Sequence, residues 1–449
     1  MKDTWEKLLD IQFSDPFHSV DEHSDELYKI LSKNLDEGKR PTMEKEDFVK
    51  TTNKYGRGVF RRTLANYIER KKPDFPYKTW TKEQVYDKFR KLQKYNYINW
   101  ISDIDKKDVL EKYDDYKYPY YKYGLGVIDA PPAYNSISDS FMNPLRLACG
   151  SYGFKSAVER WTKGINIWGV LGPTWRGIND TFNLNAITYL GAFRLGTYIA
   201  TQFKPTVAKT IYGMTNAKTV LDTSMGWGDR LTGFYTSNAT HYIGCDPNPN
   251  TFEKYHEMKK YYDKYTQQTK IVDMYRCGAE DLWEQYEKRH GKKLENIDCA
   301  FTSPPYFSTE RYNEGGDNEE DQSWSKFSEY DSWEKDFFLK VSKMTFDSLN
   351  DDGVMMVNIL DPKVKGKRYY SGDALVDMLK DNFLGQVGMR ITQRPQGAAV
   401  FKDADGNFDK EAMDAFMKKV YIENIWCFSK NKNKDIFKQT KEINLEDFV

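Results

Sequence analysis

The chain has 449 residues, 39% of them hydrophobic, with 67 Lys and Arg set against 67 Asp and Glu. That length is more than one core serves, so two domains are expected, and the balanced charge excludes a global field that would draw the protein onto nucleic acid, leaving only local patches to do so. Five cysteines without any Cys-x-x-Cys spacing and five histidines without ligand spacing exclude a disulfide framework and a zinc cluster, so reduced thiols and no metal are expected.

The N-terminal stretch Met1-Lys2-Asp3-Thr4-Trp5-Glu6-Lys7 carries charge where a signal peptide needs an apolar run, and no segment approaches about 18 apolar residues. A soluble, cytoplasmic protein without a membrane partner is expected. Residues 1–185 read as a mainly helical domain. Within it Arg57, Arg61, Arg62, Arg70, Lys71 and Lys72 accompany Leu64, Tyr67 and Ile68 at helical spacing. Arg61 and Arg62 are therefore candidates for phosphate contact, the alternative being a solvated helix face.

Tyr113, Tyr116, Tyr118, Tyr120, Tyr121 and Tyr123, interleaved with lysines, suit either a stacking platform for bases or loops packed on a core. Asp129-Ala130-Pro131-Pro132-Ala133-Tyr134 ends a short apolar run without a preceding glycine loop and is read as a decoy of a motif met further on.

From Ala186 the pattern changes. An apolar helix stops before Phe203-Lys204-Pro205, and Pro205 opens a helix that Gly213 closes. Short apolar strands then alternate with helices: Thr219–Asp222, Tyr242–Cys245, Ile271–Tyr275, Ile297–Thr302 and Val354–Ile359, with a helix from Trp333 to Leu349 before the last. Segments 386–393 and 421–429 read as a closing antiparallel pair. The fold class is thus α/β, an open, mostly parallel sheet over 186–430 with ligands at its C-terminal strand ends, followed by a tail from 431 to 449.

Four strand ends carry chemistry. Asp222-Thr223-Ser224-Met225-Gly226-Trp227-Gly228 follows the first strand, and its Gly226 and Gly228 let backbone approach a ligand. Asp246 ends the second strand, where a carboxylate accepts from both ribose hydroxyls of an adenosine cofactor. Glu280 and Asp281 follow the third, and Asp281 reads equally as a helix N-cap. At the fourth, Thr302-Ser303-Pro304-Pro305-Tyr306-Phe307 makes a stiff turn. There the Ser303 hydroxyl and the Pro304 carbonyl are placed to accept hydrogens of an exocyclic amine, and Tyr306 and Phe307 to stack on a base drawn from its helix. A dinucleotide site is disfavoured because Leu231 stands where the third glycine belongs.

Thr302-Ser303-Pro304-Pro305-Tyr306 resembles motif IV of the S-adenosylmethionine-dependent DNA amino-methyltransferases. Phe203-Lys204-Pro205, the Asp222 loop, Asp246 and Cys277–Leu282 resemble motifs X, I, II and III, in the order of the gamma group. The resemblance implies a Rossmann-like, seven-stranded class I methyltransferase domain and S-adenosylmethionine as cofactor. It implies Ser303, Pro304, Pro305 and Tyr306 as catalytic, and Phe203, Asp222, Gly226, Gly228, Asp246, Glu280, Asp281 and Thr302 around the cofactor. Departures are Thr223-Ser224 in motif I, where Trp227 is the substitute aromatic, and Gly278 where many relatives place the motif III acid. Serine before Pro-Pro-Tyr leans toward cytosine N4 over adenine N6.

Two insertions leave strand ends: an acidic loop over 308–325, read as a lid or a solvated loop, and a basic one over 362–370 whose Lys365 and Arg368 are candidate backbone contacts on DNA. An RNA base amino-methyltransferase and a binding or scaffold protein without turnover remain as alternatives.

Overall fold

The computed structural model describes residues 26–31, 42–103, 109–110, 117–118, 126–151, 153–176, 183–309, 311–391, 401–403 and 406–436. Of the tyrosine-rich stretch only Lys117 and Tyr118 fall among them, and of the tail only 431–436.

The chain forms two compact units. One comprises Met1–Trp80, Asn143–Thr201 and Arg311–Glu319; the other comprises Thr81–Met142, Gln202–Glu310 and Glu320–Val449. The expected boundary at 185 thus differs from the observed grouping in three places: residues 81–142 go with the sheet, and 186–201 and 311–319 go with the helices. The first unit is built from helices Lys45–Tyr55, Arg57–Lys71, Ala157–Lys163, Ile167–Arg176 and Ala186–Gly196. Phe60, Leu64, Ile68, Trp161, Tyr189 and Phe193 are buried together in its core. Trp161 satisfies its buried indole N–H on the Pro73 carbonyl at 2.6 Å.

The second unit is organised by seven strands: β1 Thr219–Asp222, β2 His241–Cys245, β3 Ile271–Tyr275, β4 Ile297–Thr302, β5 Leu349–Asn358, β6 Phe383–Arg390 and β7 Val420–Ser429. They lie in the order β3-β2-β1-β4-β5-β7-β6. Strands β1 to β5 pair in parallel, and β7 enters antiparallel between β5 and β6. Continuous burial from Cys299 to the end of β4 and over the C-terminal half of β5 is what a parallel sheet covered on both faces requires. Short strands Gly126–Ile128 and Ile101–Asp103 extend the β6 edge, and Val109–Leu110 adds to β7, so the sheet exceeds the seven strands expected. The Asp129–Tyr134 decoy follows this added edge, separated from β4 by β6, β7 and β5.

Two local expectations need correcting. Gly213 lies inside helix Pro205–Met214 instead of ending it; a Cβ there would run into the Tyr97 ring, so its role is close packing. The segment expected as one helix from Trp333 winds as a π-helix over Trp333–Leu339 and as an α-helix over Lys340–Asp347 before β5 begins at Leu349. No disulfide joins the cysteines of the described residues, and all but Cys277 are buried. Among the described residues no helix is long and apolar enough to cross a membrane, and no group of three or more His, Cys, Asp or Glu could hold a metal ion.

Candidate active site

The strand order reverses between β1 and β4: from β1 the chain steps outward to β2 and β3, and from β4 it steps the other way to β5. Crossovers leave in opposite directions there, opening a crevice at the C-terminal strand ends. The loop after β1 ties the neighbouring tips together. Thr223 Oγ1 donates to Thr302 Oγ1 at 3.1 Å, Ser224 Oγ lies 2.7 Å from the same oxygen, and Ser224 Oγ donates to the Ser303 carbonyl at 2.9 Å. Two residues on, the Gly226 N–H donates to Asp246 at 2.9 Å. The strand-end turn 302–306 and Asp246 therefore flank one loop, as the sequence requires of a shared site.

Asp246 is buried and also accepts from the Asn248 N–H at 3.1 Å and from Thr251 Oγ1 at 3.3 Å. Burial pushes its carboxyl up to about 6, against the downward pull of those backbone donors. A Cβ added at Gly226 would meet nothing nearer than the Ser224 carbonyl at 3.8 Å, so the space above this part of the loop is open to a ligand. Gly228, at φ 75°, sits in the left-handed region that favours glycine.

Asp222 behaves differently from what its strand-end position suggests. It is fully buried; one oxygen accepts from Arg230 Nε at 2.9 Å and Tyr242 OH at 2.6 Å, and the other from the Ser224 N–H at 3.2 Å. Its carboxylate shapes the loop from beneath. The Arg230 guanidinium in turn lies 5.4 Å from the Phe203 ring centroid, and Phe203 meets Phe301 of β4 edge-on at 5.5 Å, which fixes Phe203 beside the β1 and β4 tips.

Glu280 lies close to the backbone of Gly278. A Cβ built on Gly278 would fall 2.5 Å from the Glu280 carboxylate, so Glu280 curls back into the volume that a side chain at 278 would occupy. Lys326 holds it there at 3.0 Å. Asp281 is exposed and stands at the N-cap of helix Leu282–His290, without a side-chain capping hydrogen bond.

In the turn after β4, Pro304 and Pro305 line a small, mostly apolar cavity with Thr302, Phe337, Phe338 and Val357. The π-turn reaches this cavity through Phe337 and Phe338, and such turns recur beside functional sites. Tyr306 and Phe307 are both buried, and neither ring offers an open face. Phe307 adopts φ 50°, rare for a bulky residue, and its ring packs near Tyr330 and Trp333, with centroids at 5.6 and 5.7 Å. The Tyr306 hydroxyl lies 2.8 Å from Ser303 Oγ and donates to Asn358 Oδ1 at 3.0 Å.

The basic candidates divide. Arg61 is buried within the helical unit, donates to the Trp168 carbonyl from Nε and Nη2, and lies 3.7 Å from that ring's centroid. It is a structural residue there, not a phosphate contact; Arg62 is exposed. In the basic insertion, Lys363–Val364 and Lys367–Arg368 form a hairpin whose turn residues Lys365 and Gly366 have φ 49° and 88°, the positive pair of a tight two-residue turn. Lys363, Lys365 and Lys367 are exposed, whereas Arg368 is half-buried and donates to the Asp361 carbonyl at 2.8 Å. Tyr118 is likewise committed, its hydroxyl donating to Asp377 at 2.6 Å. In the acidic loop, Arg311 pairs with Glu314 at 3.1 Å, and the Arg311 N–H donates to Ser151 at 3.0 Å, so this part of the loop is fastened within the helical unit.

Residues 297–447 match the family model described as DNA methylase. The matched segment, about a third of the chain, opens on β4 and its turn. Together with the strand order, the match supports a methyltransferase domain that uses S-adenosylmethionine. No curated protein matches the chain. Solved structures that overlap it include an S-adenosylmethionine-dependent O-methyltransferase from Thermotoga maritima, at 8% identity over 54% of this chain and 72% of that one, with a TM-score of 0.30. An O-methyltransferase from Bacillus cereus in complex with SAH overlaps at 9% identity over 54% and 88%, TM-score 0.31. A SAM-dependent methyltransferase from Agrobacterium tumefaciens does so at 11% identity over 52% and 67%, TM-score 0.29. Overlaps this loose carry no argument about this chain.

Sequence reasoning passed over Arg230, Tyr242 and Asn358. Only Asn358 left a signal, as a polar residue ending an apolar strand next to β4.

Proposed function

We propose that the chain transfers a methyl group from S-adenosylmethionine to an exocyclic amine of a DNA base, cytosine N4 or adenine N6. The observation that carries this reading is the loop 223–226, which is hydrogen-bonded to the Thr302-Ser303 strand end on one side and to Asp246 on the other. The family match supports DNA as the polymer.

The residues present fit the cofactor. Asp246, with its N–H donors and a carboxyl titrating near 6, suits ribose hydroxyls; the space over Gly226 is open; and Glu280 supplies an acceptor near Gly278. Bound there, the cofactor supplies an electrophilic methyl on a sulfonium. An exocyclic amine is a poor nucleophile because its lone pair is delocalised into the ring. Ser303 Oγ and the Pro304 carbonyl accept its two hydrogens, which favours the pyramidal form whose lone pair points at the methyl. With the cofactor bound, the N–C bond would form as the methyl–sulfur bond breaks to leave a neutral thioether, and one N–H proton would pass to solvent water. Because Tyr306 is covered, Ser303 and Pro304 are the groups that meet the amine, and stacking by Tyr306 requires its ring to be uncovered as the base enters.

The exposed lysines of the hairpin at 363–368 supply phosphate contacts. Incubation with labelled S-adenosylmethionine and equal amounts of duplex DNA and structured RNA tests the reading. Label in DNA is expected. Label in RNA alone would move the chemistry to the other polymer, and no label in either, with no cofactor binding, would favour a scaffold.

A further inference from the structure

We infer that Asn358 is a positioning residue for Ser303: it fixes where the serine proton points and so which side of the hydroxyl is left to accept the substrate amine. This inference rests on the reaction proposed above. Asn358 ends β5, the strand beside β4, and is 1% exposed. Its Nδ2 donates to the Asn424 carbonyl of β7 at 3.0 Å, which fixes the amide so that Oδ1 faces the turn after β4. Reversing the amide would set its oxygen against that carbonyl and its NH2 against the two hydroxyls that now donate to it. Oδ1 accepts from Tyr306 OH at 3.0 Å and from Ser303 Oγ at 3.3 Å, and the two hydroxyls lie 2.8 Å apart.

The two hydroxyl protons are thereby drawn inward. Tyr306 gives its proton to Asn358, and Ser303 gives its own either to the Tyr306 oxygen or to Asn358. In both cases the Ser303 lone pairs remain for an incoming donor. Without an acceptor at 358 the serine proton is free to turn outward toward the amine hydrogens, which removes the acceptor that the reaction needs. Asn358 itself is buried and acts only through Ser303 and Tyr306.

Two shape-matched variants test this in the full chain. Asn358→Leu keeps the bulk and removes the acceptor; Asn358→Asp keeps an acceptor oxygen. In a methyl-transfer assay with duplex DNA, Asn358→Leu is expected to lower kcat about tenfold or more, with KM for DNA and the Kd for S-adenosylmethionine within about twofold of wild type. Asn358→Asp should keep more of kcat than Asn358→Leu. Adding Asn358→Leu to Ser303→Ala should cost nothing beyond Ser303→Ala alone, because the partner that it positions is already gone. Unchanged kcat in Asn358→Leu, equal losses in the two variants, or losses that multiply in the double variant would overturn the inference. The wild-type signal on DNA reads the proposed reaction, whereas the ratio of variant to wild type, taken on whichever polymer accepts methyl, reads Asn358. Either can therefore fail alone.

Discussion

Asp222 and Asp246 end adjacent parallel strands, and both read as cofactor carboxylates, yet the fold uses them in opposite ways. At the β1 tip Arg230 and Tyr242 close over Asp222, leaving an internally neutralised pair with no exposed surface. At the β2 tip Asp246 faces backbone N–H groups and the hydroxyls of Thr251 and Tyr255, with no cation bonded to it among the described residues, and burial lifts its carboxyl to about 6. Under the proposed function, Asp246 is left to a ligand because no counter-ion from the following helix occupies it, as Arg230 occupies Asp222. The basic segments repeat the lesson: Arg61 is consumed by Trp168, while the lysines of the 363–368 hairpin are left in solvent.

The largest expected effect separates the two carboxylates. Arg230→Ala strands a buried charge and should cost about 3–5 kcal/mol of stability in denaturant titration. Asp246→Ala should leave stability close to wild type and weaken S-adenosylmethionine binding about 100-fold by calorimetry, the loss of two hydrogen bonds to a charged group. An exchange of those outcomes would break the contrast.

The pH dependence sharpens it. If the ionised carboxylate is the binding form, affinity for S-adenosylmethionine should fall about tenfold per unit as pH drops below about 6, and Asp246→Asn should flatten that profile. For stability the sign is opposite. The native carboxyl binds its proton more tightly than the unfolded one, whose ordinary value is 3.8, so the contribution of Asp246 favours the fold below that value and is lost as pH rises from there to about 6.

A smaller effect divides the arginines: Arg61→Ala should cost about 2–3 kcal/mol, and Arg62→Ala about 0.5 kcal/mol or less. The smallest is at the hairpin tip, where Lys365→Ala should leave stability unchanged and reduce the salt dependence of DNA binding by a slope of about 1.

Much of the fold was legible because short, mainly apolar strands alternate with helices and turn signals; the runs of β1, β2 and the end of β4 are buried as a covered parallel sheet demands, whereas β3 is mostly exposed or half-buried. The Thr302–Tyr306 turn was legible because two prolines leave the backbone little choice. What partners do across the sheet was not legible. Arg230 and Tyr242 reach Asp222 from other elements, and Asn358 meets Ser303 only because β5 lies beside β4. Glu280 replaces a side chain at Gly278 by a local fold-back that spacing does not encode. Arg61 and Arg62 are neighbours in one basic run and both lie over the Trp168 ring, but Arg61 is buried and donates to the Trp168 carbonyl while Arg62 stays exposed.

Digestion of methylated duplex DNA to nucleosides, followed by mass spectrometry, reads polymer and atom together. The account predicts N4-methylcytosine or N6-methyladenine from the wild-type chain and neither from Ser303→Ala. Methyl found on a ring carbon, on RNA alone, or undiminished in Ser303→Ala would contradict it.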